Sequence, residues 1–181
     1  MRSCSGSSRP TRRPASPAER VANRSAAEVT VDVQIAVDDA GVPSRSVMAG
    51  WVRSALDAAG HDGASEVSVR VVGDAEMQEL NRAYRGKDRP TNVLSFPAGD
   101  HATPPGEEVT FLGDIVICAA VVHAEAQDQG KAAPAHWAHM LVHGTLHLLG
   151  YDHETAPEAA AMEGLETRIL AGGGVSDPYT A

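Results

Sequence analysis

The sequence predicts an α+β fold in which a mixed sheet of about four strands packs against helices. Two observations lead to this prediction. Segments in which apolar residues alternate with polar ones, typical of half-buried strands, are interleaved with segments in which apolar residues recur at helical spacing. The segments follow the order β-α-β-α-β-β-α-α-α, which is typical of a sheet with helices packed on it.

The first half of the predicted domain contains two strands and two helices. Alternating Val and Ile residues over 29–37 predict the first strand, and alternating Val residues over 67–71 predict the second. Apolar residues at helical spacing over 47–59 predict a helix between them. A second helix is expected to be capped by Asp74 and to end at Gly86.

The second half of the predicted domain contains the remaining two strands and three helices. Apolar runs at 92–96 and 111–118 predict the strands, with a polar Gly- and Pro-rich loop at 99–108 between them. Helical spacing predicts the helices over 119–130, 134–149 and 158–170.

Length and composition favour one domain preceded by a tail, in a chain of 181 residues. The two cysteines, Cys4 and Cys118, cannot form a disulfide framework, so a reducing compartment is expected. The sequence shows neither an apolar run that could span a bilayer nor the apolar segment of a secretory signal. These features predict a cytoplasmic protein without a membrane partner.

Residues 1–27 are predicted to be a disordered basic extension, followed by a domain over 28–181. The extension is rich in Ser, Arg, Pro and Ala and has too few bulky apolar residues to form a core. It could be a transit peptide, a basic arm that contacts RNA phosphates, or a dispensable addition, which we favour. The net charge is −9 although this extension is cationic, and so acidic a body is not typical of a general nucleic-acid binder.

Three histidines have the spacing of metal ligands. His143 and His147 are four residues apart, so on a helix both imidazoles lie on the same face. Gly150 can adopt positive φ and end the helix, which allows the chain to turn back and bring His153 to the same point. Three neutral imidazoles leave one position of a tetrahedral zinc ion open for water. The sequence therefore predicts one zinc ion per chain, on a C-terminal helix and the following turn.

The spacing H-x-x-x-H-x-x-G-x-x-H is also that of the metzincin proteases. Those enzymes carry a glutamate directly after the first histidine as general base, whereas this chain has Gly144 there. A glycine cannot accept a proton. The spacing thus predicts a metal centre, but peptidase chemistry is disfavoured.

Two plainer interpretations of the histidines remain open. The imidazoles could merely satisfy hydrogen bonds in the core, although three histidines at ligand spacing, with the glycine between them, favour a metal site. A closed structural zinc site would need a fourth ligand, for which Cys118 is the plausible thiolate, but Cys118 lies in an apolar strand and is predicted to be core. His136 and His139, on the same helix, are predicted to lie behind the ligands or at the surface.

Four cations cluster at the end of the second predicted helix and in the turn that follows. They are Arg82, Arg85, Lys87 and Arg89. Cations at a helix C-terminus can simply complement the helix dipole. Alternatively, they form a substrate-binding clamp, because guanidinium groups match phosphate oxygens. Spacing does not choose between these interpretations.

Several blocks of the chain, in order, resemble the YbeY family of bacterial rRNA maturation factors. The similar blocks are Leu80–Pro97, Gly113–Ile115, His136–His153 and the closing Asp177–Tyr179. The resemblance covers roughly 28–179 and does not extend to the preceding tail. The family also has a glycine where this chain has Gly144.

The resemblance implies a single-strand-specific metallo-endoribonuclease that acts in maturation of the 3′ end of small-subunit rRNA and in ribosome quality control. The implied partners are single-stranded rRNA, the small ribosomal subunit and assembly proteins. The implied catalytic set is Arg85 with the three zinc-binding histidines. The general base is left open among zinc-bound hydroxide, Asp152, Asp114 and the 2′-hydroxyl of the RNA. A ribosome-binding factor with a structural zinc and no catalysis is the alternative.

Overall fold

A computed structural model describes residues 28–99 and 109–180, which form four strands and five helices in the predicted order. The strands are β1 (Val29–Ile35), β2 (Ser65–Val72), β3 (Val93–Pro97) and β4 (Thr110–Cys118). The helices are α1 (Arg45–Ala58), α2 (Asp74–Arg85), α3 (Ala119–Asp128), α4 (Ala133–Leu148) and α5 (Ala156–Gly172). The predicted extension over 1–27 and most of the predicted loop lie outside the described residues.

The four strands form one mixed sheet in the order β1-β2-β4-β3. The pairs β1–β2 and β2–β4 are parallel, and the hairpin partners β3 and β4 are antiparallel. The α+β fold and the mixed sheet of four strands are therefore confirmed.

Helices cover both faces of this sheet. One core cluster joins the sheet to α1 and α4, and α5 packs against the outer side of these two helices in a second cluster. A third cluster joins the opposite face to α2 through Met77. None of the helices that the model describes is both long and apolar enough to cross a membrane.

Strand β4 is apolar on both faces because it lies inside the sheet between these layers. Ile115 and Ile117 contribute to the cluster under α1 and α4, while Val116 and Cys118 contribute to the cluster under α2. Burial raises the pKa of the Cys118 thiol to about 11, even though backbone hydrogen bonds oppose the shift. Cys118 is therefore a protonated core residue, as predicted.

The expected cap of α2 is wrong in detail. Gly73 is the N-cap and makes no side-chain capping bond, and Asp74 is the first residue of the helix. The Asp74 carboxylate instead accepts a hydrogen bond from the thiol of Cys118, at 3.1 Å. Its negative charge still lies in the first turn, where it interacts favourably with the positive end of the helix dipole.

Strand β4 contains a bulge where it pairs with β2. The pairing of β2 with β4 shifts register at Glu66, which leaves Leu112 as the extra residue before Gly113. Gly113 has φ +136°, and a Cβ there would lie 2.2 Å from the backbone oxygen of Phe96. A side chain is therefore excluded at this position by both the backbone conformation and the neighbouring strand.

Replacing Gly113 with Ala is expected to lower the free energy of unfolding by about 2–4 kcal/mol, because backbone strain and overpacking add. Gly50→Ala is the matched control, since a Cβ at Gly50 meets nothing within 4 Å and the residue lies inside α1. The control should gain about 0.5–1 kcal/mol from helix propensity. Urea denaturation measures both changes, and equal stability of the two variants would contradict this account of the bulge.

Candidate metal centre

Helix α4 presents the first two predicted ligands side by side. The helix spans Ala133–Leu148 and is buried along most of its length between the sheet and α5. His143 and His147 are one turn apart, and their Nε2 atoms lie 3.1 Å from each other. Both rings therefore direct a nitrogen to the same point.

The turn after α4 brings the third histidine to this point. Gly150 has φ +86° and donates its N–H to the carbonyl of His147, at 3.1 Å, which ends the helix. The chain then reverses, and the His153 ring lies 5.5 Å from the ring centroid of His143 and 5.1 Å from that of His147. As predicted, the turn at Gly150 brings the histidine trio (His143, His147 and His153) together.

The trio fits a single metal ion. One nitrogen from each ring lies within 4.8 Å of the others. Tetrahedral zinc with Zn–N bonds of 2.0–2.1 Å would place such nitrogens about 3.3 Å apart, close to the observed separation of His143 and His147. Burial, followed by the charges of His143 and His153, lowers the pKa of His147, which favours the neutral imidazole that a metal needs.

A buried carboxylate orients His143 from behind. Glu166, on α5, is 0% exposed, and its Oε1 accepts a hydrogen bond from His143 Nδ1 at 2.8 Å. An ionised carboxylate only accepts hydrogen bonds, so Nδ1 carries the proton of the ring. His143 Nε2 is then free to bind a metal, in the arrangement common to metal-ligating histidines.

Three donors surround this carboxylate. Tyr179 donates its hydroxyl to Glu166 Oε2, and His139 Nε2 lies 3.5 Å from the same oxygen. Burial alone raises the pKa of Glu166, but the hydrogen bonds from His139, His143 and Tyr179 outweigh it and lower the pKa to about 2. His139, His143 and Glu166 also come close enough together to hold a cation. His143 Nδ1 and both oxygens of Glu166 are already hydrogen-bonded in this group, so His143, His147 and His153 are the better candidate metal site.

Gly144 marks the closest approach of α4 to the sheet. A Cβ at Gly144 would lie 2.9 Å from Ile115 Cγ2 and 3.2 Å from Ser95 Oγ. The Ser95 hydroxyl donates to the Gly144 carbonyl oxygen at 3.1 Å, which ties β3 to the helix. This position faces the sheet and has no room for a glutamate, so a metzincin general base does not fit here.

The trio opens into a cleft of about 740 Å³. Arg85, the last residue of α2, lines the cleft together with His143, His147 and His153. The other three predicted cations are exposed, and none of them is among the described residues that line the cleft: Arg82, Lys87 and Arg89. Within the described ranges, none of the four side chains forms an ion pair.

Two of the suggested general bases differ in position. Asp152 lines the cleft, and its Oδ1 accepts a hydrogen bond from the backbone N–H of His153 at 2.7 Å. Asp114 lies in β4, paired with Phe96, and is not among the described cleft residues. Of these two carboxylates, the geometry favours Asp152 as the candidate general base.

The remaining histidines of α4 lie behind the cleft. His139 contacts the Glu166–Tyr179 pair, as expected of a residue behind the ligands. His136 is buried rather than at the surface, and its Nε2 is 2.8 Å from Glu125. Glu125 also accepts from the amide of Asn92, a cleft residue, so His136 supports the cleft wall indirectly.

Sequence reasoning missed Glu166, although the sequence carried a signal. Glu166 occupies a core position of α5, between Met162 and Leu170 at helical spacing, where an unpaired charge would be costly. A charged residue in such a stripe predicts a buried partner. Sequence pattern alone does not show that this partner is His143, because that depends on how α5 packs on α4.

Comparisons with known proteins agree with this geometry. The family model described as Endoribonuclease YbeY matches residues 33–173. The Endoribonuclease YbeY of Alkalilimnicola ehrlichii is 58% identical over 142 residues, covering 77% of this chain and 84% of that protein. The solution structure of TM1509 from Thermotoga maritima shares the fold, with a TM-score of 0.53 at 22% identity, over 84% of this chain and 100% of that chain. The chain belongs to the YbeY endoribonuclease family.

Proposed function

We propose that the protein is a zinc-dependent endoribonuclease that cleaves single-stranded RNA, in maturation of the 3′ end of small-subunit rRNA and in ribosome quality control. The observation that carries the proposal is the convergence of three imidazoles and Arg85 on one cleft, in a member of an endoribonuclease family. The proposed partners are single-stranded rRNA, the small ribosomal subunit and its assembly proteins. We place the activity in the cytoplasm.

The proposed metal ligands are His143, His147 and His153. Zinc bound there would supply Lewis acidity toward a phosphoryl oxygen and favour deprotonation of water. The His153 side chain is 56% exposed, so the open side of the trio faces the cleft rather than the core. A substrate phosphate can reach this side, which supports a catalytic site over a closed structural one.

Arg85 is the proposed phosphate clamp. It ends α2 at the rim of the cleft, where its guanidinium can approach a phosphate beside the trio. Two N–H groups of a guanidinium match two phosphate oxygens and neutralise charge that builds in the transition state. Arg82, Lys87 and Arg89 are proposed as flanking contacts to the RNA backbone, which would position the strand without touching the reacting phosphate.

An exposed aromatic ring supports preference for single strands. Tyr84 is 68% exposed, lines the cleft and packs edge-on against Phe96, with ring centroids 4.8 Å apart. Unpaired bases stack on such rings, whereas bases in a duplex are already stacked. A cleft that combines this ring with Arg85 and the trio suits one splayed strand.

His147→Ala is expected to reduce bound zinc from about one ion per chain to almost none and to abolish cleavage of a labelled single-stranded RNA, because two imidazoles cannot hold the ion. His61→Ala is the matched control, since His61 is outside the described cleft residues. Metal analysis and the cleavage assay are made on the same preparations. If the wild type holds zinc and cleaves nothing, the protein is a ribosome-binding factor with a structural metal instead.

Arg85→Ala is expected to lower kcat for RNA cleavage by about a hundredfold while zinc content stays at the wild-type value. The reason is that the negative charge on the phosphate in the transition state loses the guanidinium that neutralises it. Arg168→Ala is the control, since it removes the same charge from an exposed position on α5. Single-turnover cleavage at saturating enzyme separates chemistry from binding. A wild-type rate in Arg85→Ala would show that the clamp role is wrong.

A further inference from the structure

The C-terminal segment reaches the proposed metal centre from behind. Tyr179 follows the last proposed ligand by a whole helix, yet its hydroxyl donates to Glu166 Oε2. The other oxygen of that carboxylate accepts from His143 Nδ1 at 2.8 Å. A chain of hydrogen bonds therefore runs from the C-terminal segment to the ring whose opposite nitrogen faces His147.

Contacts outside the metal centre fix the position of Tyr179. Lys131 Nζ donates to the carbonyl oxygen of Pro178 at 2.6 Å. Asp177 Oδ1 accepts from the hydroxyl of Thr167 at 3.3 Å and from the backbone N–H of Tyr179 at 2.9 Å. These bonds tie the segment to α5 and to Lys131, just before α4, and they direct the phenol hydroxyl at the carboxylate.

Glu166 needs this hydroxyl because its carboxylate is buried. Among the described residues, the remaining donor near Oε2 is His139 Nε2, at the longer distance of 3.5 Å. A buried oxygen without a close donor is costly, and the carboxylate would rotate to find one. Rotation takes Oε1 out of line with His143 Nδ1, which frees the ring to turn and to change tautomer.

We propose that Tyr179 is a positioning residue for the metal centre, which acts through Glu166 to fix the ring and the tautomer of His143. The inference rests on the proposed metal centre and adds that the metal affinity depends on the C-terminal segment. Outer-shell partners of this kind contribute measurably to metal affinity in other zinc proteins.

The test compares three variants of the full chain by competition for zinc with a chromogenic chelator. Tyr179→Phe keeps the ring and removes only the hydroxyl, and we expect its zinc affinity to fall about tenfold. Glu166→Gln should lower the affinity by about 10–100-fold. Ser54→Ala is the control and should bind zinc as the wild type does, because it removes one hydroxyl from an exposed position of α1 that is not among the described residues of the cleft.

Two further measurements separate positioning from folding. Thermal unfolding of the metal-free proteins should show a modest drop in the midpoint of Tyr179→Phe, because the buried Glu166 oxygen loses its closest donor, but the variant should remain folded at the assay temperature. The visible spectrum of the cobalt-substituted protein should change in Tyr179→Phe if the His143 ring has moved. Should Glu166→Gln fail to fold, Tyr179→Phe alone decides the question.

Unchanged zinc affinity in Tyr179→Phe, with zinc bound by the wild type, overturns this inference and leaves the proposed metal centre standing. A loss of affinity that arises because metal-free Tyr179→Phe is already unfolded at the assay temperature also overturns it. Failure of the wild type to bind zinc would overturn both proposals.

Discussion

The close approach of α4 to the sheet at Gly144 is the constraint on which the site depends. A side chain there would collide with Ile115, and the Gly144 carbonyl accepts a hydrogen bond from Ser95. This contact fixes how α4 is rotated about its axis, and rotation decides where the neighbouring His143 and His147 point. The same contact leaves no room for a side chain at the position from which a metzincin draws its general base, so the packing that brings the three histidines together also excludes that base.

A buried negative charge, on Glu166, lies behind the site. Glu166 is wholly buried between α4 and α5, and it is stable as an anion because donors from α4 and from the C-terminal segment converge on it. A buried ion of this kind costs free energy unless it is fully hydrogen-bonded. Here the hydrogen bonds to Glu166 offset that cost, and one of them orients His143, a proposed ligand. The buried carboxylate thus links the core of the protein to its cleft.

Sequence patterns predicted the fold and the convergence of the three histidines. Helical and strand periodicities located all nine elements that the structure describes, because both cores of the sheet are built from regular apolar patterns. The histidine spacing and Gly150 predicted the convergence of the trio because both are local in sequence. Asp74 was assigned to the wrong side of the helix start by one residue, since Gly73 takes the capping position.

Sequence pattern alone did not predict the features that depend on long-range packing. Spacing did not distinguish Arg85 from its three neighbouring cations; the family resemblance singled it out, and the orientation of α2 explains why Arg85 lines the described cleft while the other three do not. Glu166 and Tyr179 reach His143 through the packing of α5 and the return of the C-terminal segment, which no local pattern encodes.

We propose that cleavage of RNA needs one metal ion on the three histidines. The decisive measurement is a titration of zinc into metal-free protein, followed by the initial rate of cleavage of a single-stranded RNA. We expect no cleavage without metal and a rate that rises linearly until about one equivalent of zinc is bound. Full cleavage by the metal-free protein would contradict it.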